Sequence, residues 1–210
     1  MENILSIIFC LTLFYTAVTS RVKAYVSIIR IQGILLAVLL VLPFINKLSF
    51  QNLLLPLTII LVKVIFIPLY INRIIINLDI KRRIEPTIQQ ISFLAIAIFT
   101  ILVIFLFTDI LSYSAEFEVI PFASGFSAIM IGIYIIMFRK KLIVHVSGFL
   151  ILENGIFLIG TAIASELPLL IELGILLDVF VVVFLMGIAL NKISSTLKGF
   201  EVSDLRRLKD

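Results

Sequence analysis

Long apolar runs, separated only by short clusters of charged residues, dominate the pattern of this chain. The runs cover residues 4–20, 25–45, 53–70, 88–107, 120–138, 142–164 and 167–190. Most come close to the ~20 residues with which an α-helix crosses ~30 Å of hydrocarbon. They do not alternate apolar with polar residues at every second position, as barrel strands do. The pattern therefore predicts an all-α polytopic membrane protein, a bundle of seven transmembrane helices. The connections are short, the longest covering residues 72–86, so residues 1–210 read as a single membrane domain without an extramembrane module. The first run starts at the N-terminus and ends in small residues, as a signal peptide does. Glu2 stands where a signal requires a basic region, so the run is read as a span.

Composition sharpens this. Hydrophobic residues make up 62% of the chain and charged residues 14%, with a mean hydropathy of +1.26, which excludes a soluble domain with a polar skin. With seven crossings the charges sort by side. Arg21 and Lys23, the group Arg73, Lys81, Arg82 and Arg83, the run Arg139, Lys140 and Lys141, and the tail from Lys192 fall together. The other side carries Glu2, Asp109, Glu116, Glu118 and Glu166, with Lys47 as its basic loop residue. The positive-inside rule then places the N-terminus outside and the C-terminus inside. The net charge of +4 follows from this anchoring; no basic patch is interleaved with aromatics, so no nucleic-acid partner is expected. The single cysteine, Cys10, lies within the first run, which leaves no disulfide framework and no cysteine metal site. No cofactor is expected on the chain, nor redox chemistry of its own.

The candidate chemistry is the set of polar side chains inside the runs. Glu153 lies near the middle of the sixth run and Asp178 near the middle of the seventh, with Glu172 about two turns nearer the start of that run. A carboxylate at a helix centre costs about 2.5 to 3.5 kcal/mol to insert, so acids kept there face a bundle interior and mark ion or proton paths. Glu172 and Asp178, six residues apart, are separated by ~9 Å along the axis and point to different faces. Lys63, about ten residues into the third run, is too deep for its stem to reach the interface and calls for a buried carboxylate partner, with Glu153 and Asp178 at matching depth; it is either a proton-relay lysine paired with that acid or one half of a structural ion pair between helices. His145, one turn after Lys141, is either an inner-side proton relay or an interfacial hydrogen-bonding residue. Gly132, Gly148, Gly155, Gly160, Gly174 and Gly187 read as positions of close helix packing.

From Gly125 to Asp210 the chain resembles the K subunit of respiratory complex I, a three-helix protein. The segment GFSAIMIGIYIIMFRKKLIVHVSGFLILENGIFLIG carries a first helix, a short basic turn and a second helix with a mid-membrane glutamate. With ENGIFL, PLLIELGILLDV and MG in order, and extra N-terminal runs, the chain more closely resembles component E of hydrogenase-4, a longer relative of that subunit. The resemblance implies a four-helix extension over residues 1–118 and a three-helix unit over 119–210. It further implies a subunit of the proton-translocating membrane arm of a complex I-like or group 4 membrane-bound hydrogenase-like oxidoreductase, not an enzyme on its own, lying beside antiporter-like pump subunits in an energy-coupling cell membrane. The family's middle-helix glutamate maps onto Glu153, and its second glutamate onto Glu172 or Asp178; Lys63 has no counterpart in the three-helix protein. A structural spacer within the same kind of complex, and a stand-alone small transporter, are the alternatives. Against the transporter, the chain shows no paired inverted halves.

Overall fold

The computed structural model describes residues 1–42, 56–77, 89–112 and 117–163, together with Gly174, Leu177, Phe180, Val181, Phe184 and Gly187. Among the described residues the regular structure is helical. Helix α1 spans Glu2–Val18, α2 Val22–Val41, α3 Pro56–Ile76, α4 Gln90–Ser112, α5 Val119–Phe138 and α6 Leu142–Ile163. Five of these are long and apolar enough to cross a membrane, and α1 is a shorter apolar helix. The seventh expected span, 167–190, lies outside the described residues except for six isolated helical positions.

Helix α6 sits at the centre: 67% of its most apolar stretch is buried, against 28% for α4, which lies at the edge. On one side α6 packs against α5 as the tightest pair in the bundle, and on the other against α2. Helix α1 covers α5 and also touches α2 and α4, while α3 packs on α2. The α5–α6 pair is tight because glycines from the two helices meet. Gly125 faces Gly155, and two turns away Gly132 faces Gly148, so each backbone lies directly on the other. The glycine seam thus belongs to α5 and α6, whereas a Cβ at Gly187 would meet nothing within 4 Å among the described residues.

Helix α3 departs from the sequence expectation in both its end and its regularity. It runs past Pro68 to Ile76 rather than ending near residue 70. The reason lies just upstream, where Ile60–Phe66 is a π-helix and the Ile67 N–H donates to the Val62 carbonyl five residues back. The wider turn gives room for a proline ring that would collide with the carbonyl of residue 64 in a regular α-helix. It also keeps a row in place. Ile59, Lys63, Ile67 and Ile71 are all buried at a spacing of four residues. At 3.6 residues per turn such a row drifts by about 40° per step, and the π segment takes up that drift.

Candidate functional site

The polar residues of the interior converge where α1, α2, α3 and α6 meet. Lys63, carried inward by the π-helical turn, is 5% exposed, and Glu153 from mid-α6 is 3% exposed. The Lys63 Nζ stands 2.8 Å from Glu153 Oε1, a charge-assisted hydrogen bond between two groups that neither helix could hold alone in hydrocarbon. Gly33 of α2 makes room for the lysine, since a Cβ there would stand 3.3 Å from Lys63 Cβ and 3.1 Å from Val64 Cγ2.

The pair continues into a line of neutral side chains. Lys63 Nζ also donates to Asn154 Oδ1 at 3.2 Å. Asn154 Nδ2 donates to Gln32 Oε1 of α2 at 3.2 Å, and Gln32 Nε2 donates to Thr12 Oγ1 of α1 at 2.9 Å. The Thr12 hydroxyl ends the line on the Phe9 carbonyl at 2.6 Å. Glu153 Oε2 is buried and has no hydrogen-bond partner among the described residues. A Cβ placed on Gly174 would lie 3.5 Å from Glu153 Oε1, so the backbone at that residue borders the carboxylate.

Of the residues singled out in the sequence, Lys63 and Glu153 are therefore brought together, and Asp178 and Glu172 lie outside the described residues. His145 is held elsewhere, eight residues or about 12 Å down α6 from Glu153. Its Nε2 bonds the Arg139 carbonyl, and its ring edges a cavity of about 220 Å³ lined by Phe149, Phe180 and Phe184 among others. Sequence reasoning passed over Thr12, Gln32 and Asn154. Each is a polar side chain inside an apolar run, the same signal that marked the acids, but neutral and so less costly to bury.

Arg139, from the basic cluster read as inner-side anchoring, lies at the end of α5 and is 2% exposed, with the guanidinium carbon 4.7 Å from the centre of the Phe93 ring. Tyr25 lies near it, and the Tyr25 hydroxyl donates to the Thr16 carbonyl at 3.0 Å. A cation on an aromatic face tolerates burial that an unaccompanied one would not. Near the opposite ends of the helices, the exposed Glu118 stands against Glu2; partial desolvation first, and the Glu2 carboxylate second, raise its carboxyl above the ordinary range.

No protein-family model matches the chain, and no solved structure does. It is similar to the uncharacterized protein Rv0085 of Mycobacterium tuberculosis, with 28% identity over 87 residues. That match takes in 41% of this chain and 40% of the relative's length. Among the described residues, no group of three or more His, Cys, Asp or Glu side chains is placed to hold a metal ion.

Proposed function

We propose that this chain is a non-redox membrane-arm subunit of a complex I-like or group 4 membrane-bound hydrogenase-like oxidoreductase, and that Glu153 and Lys63 form part of its proton path. The observation that carries the reading is a buried ion pair at mid-helix whose carboxylate keeps one oxygen without a partner among the described residues. An acid in that setting can take up and give away a proton at the free oxygen while the ammonium holds the other. The resemblance of ENGIFL and the following run to component E of hydrogenase-4 supplies the kind of complex.

In this reading Asp178 or Glu172 is the next acid along the path, and His145 is an exit residue on the inner side. The N-terminus lies outside and the C-terminus inside, over seven spans in an energy-coupling membrane. Antiporter-like pump subunits flank the chain, and electron-transfer cofactors belong to other subunits. A structural-spacer role is favoured by a different observation, the line of amides that ties four helices together.

The Glu153→Gln variant separates the two, since it keeps shape and removes the titratable proton. In the assembled complex, coupled proton transport should fall while electron transfer to artificial acceptors survives. Full pumping by an assembled Gln variant would leave the spacer. Copurification with large antiporter-like chains tests the assembly itself.

A further inference from the structure

Among the described residues, the hydrogen bonds that lead from Lys63 through Asn154 run in one direction. An ammonium only donates, so Asn154 must turn Oδ1 toward it and Nδ2 away. The Asn154 Nδ2 group then requires the carbonyl of Gln32, which leaves the Gln32 Nε2 for Thr12, and the Thr12 hydroxyl passes its own proton toward the Phe9 carbonyl. The cation thus fixes the sense of every amide in the line, and each amide dipole presents its negative end toward the cation. Bonds chained in this way polarise one another, by roughly 10 to 30% per bond.

We infer that Asn154, Gln32 and Thr12 act as a positioning arm that holds the Lys63 ammonium against Glu153 Oε1 and leaves Oε2 as the oxygen of the pair that exchanges a proton. The arm itself carries none. A carboxamide would have to pass through its imidic acid form to relay a proton, and the line stops at a backbone carbonyl of α1 that is already hydrogen-bonded. Asn154 comes from α6, Gln32 from α2 and Thr12 from α1, so three helices together set the place of a side chain on a fourth. Gln32 is the residue on which this depends, because among the described residues it is the only link between Asn154 and Thr12. Only the significance of the free Oε2 rests on the proposed function. The positioning claim concerns contact geometry and can fail or stand without it.

Magic-angle-spinning NMR on the whole chain in lipid bilayers tests the arm. With isotope label on lysine side-chain nitrogens and glutamate carboxyl carbons, the Lys63–Glu153 contact gives a nitrogen–carbon dipolar coupling, identified by its disappearance in Glu153→Gln. Gln32→Leu and Asn154→Leu should lose most of that coupling as the ammonium gains freedom, and Thr12→Val should lose part of it. Thr12→Ser, which keeps the hydroxyl, should restore the wild-type value. A role in packing alone would lower thermal stability in these variants and leave the coupling intact. An unchanged coupling in folded Gln32→Leu or, should that variant not fold, in Thr12→Val, overturns the inference. Proton transport by the complex is read separately in Glu153→Gln, so a pair that conducts nothing and an arm that positions nothing give different results.

Discussion

Gly132 of α5 and Gly148 of α6 lie so close that a Cβ on Gly148 would stand 2.9 Å from the Gly132 carbonyl oxygen. Backbone, unlike a flexible side chain, cannot move aside, so the two helices would have to separate. Gly148→Ala should therefore lower stability by about 1 to 3 kcal/mol, the usual range for overpacking. Gly174→Ala is the control, because its Cβ would meet Glu153 Oε1 at an ordinary 3.5 Å. Thermal unfolding of both variants in detergent should show a clear drop for Gly148→Ala and little change for Gly174→Ala. Equal drops would mean that the α5–α6 seam is not the rigid element its geometry implies.

The 2.8 Å ion pair gives a second expectation. Lys63→Met alone leaves the Glu153 charge uncompensated in the interior, and Glu153→Gln alone does the same to the lysine. Breaking a buried pair from one side typically costs about 3 to 5 kcal/mol, whereas replacing both members is far milder. The double variant should accordingly be more stable than Lys63→Met, with a coupling energy well above the error of a double-mutant cycle. Additive losses would show that the contact contributes nothing in the bilayer.

These two cases also show what the sequence could and could not convey. That Lys63 needed an acid was legible, because a mid-membrane ammonium has few tolerable surroundings, and Glu153 was one of two acids at the right depth. The neutral arm was not legible, since Gln32 and Asn154 raise no alarm by charge and their meeting depends on how α2 lies against α6. Burial of Arg139 depends likewise on Phe93 and Tyr25, which come from α4 and α2. The path of α3 was hidden for another reason. Its run is apolar on every side, so the buried row at Ile59, Lys63, Ile67 and Ile71 has no polar face to stand out against.

Glu118 yields a pH prediction. Partial desolvation, and then the neighbouring Glu2, raise the carboxyl of this exposed residue above the ordinary range, so the folded chain holds that proton somewhat more tightly than the unfolded chain does. The sign follows from linkage: there is no penalty at pH below the ordinary carboxylate value, and stability is lost as the pH rises through the raised one. Glu118→Gln should then raise the melting temperature near neutral pH and make no difference in acid. A variant less stable than the parent at neutral pH would show that the Glu118 carboxylate is a favourable group there.

The π-helical turn at Ile60–Phe66 has a consequence for mutation that no substitution reveals. Where Lys63 points is decided by how many residues the chain winds between it and Ile67, so an insertion can disarm the site while every polar group is retained. One alanine added after Ile65 would lengthen the step from four residues to five. At about 100° per residue, the added residue would swing Lys63 away from the face that Ile67 and Ile71 share. The lengthened chain should still insert and fold around that seam, yet lose the ammonium–carboxylate coupling as completely as Glu153→Gln does. The address of this lysine is thus written in the count of residues and not only in their kinds.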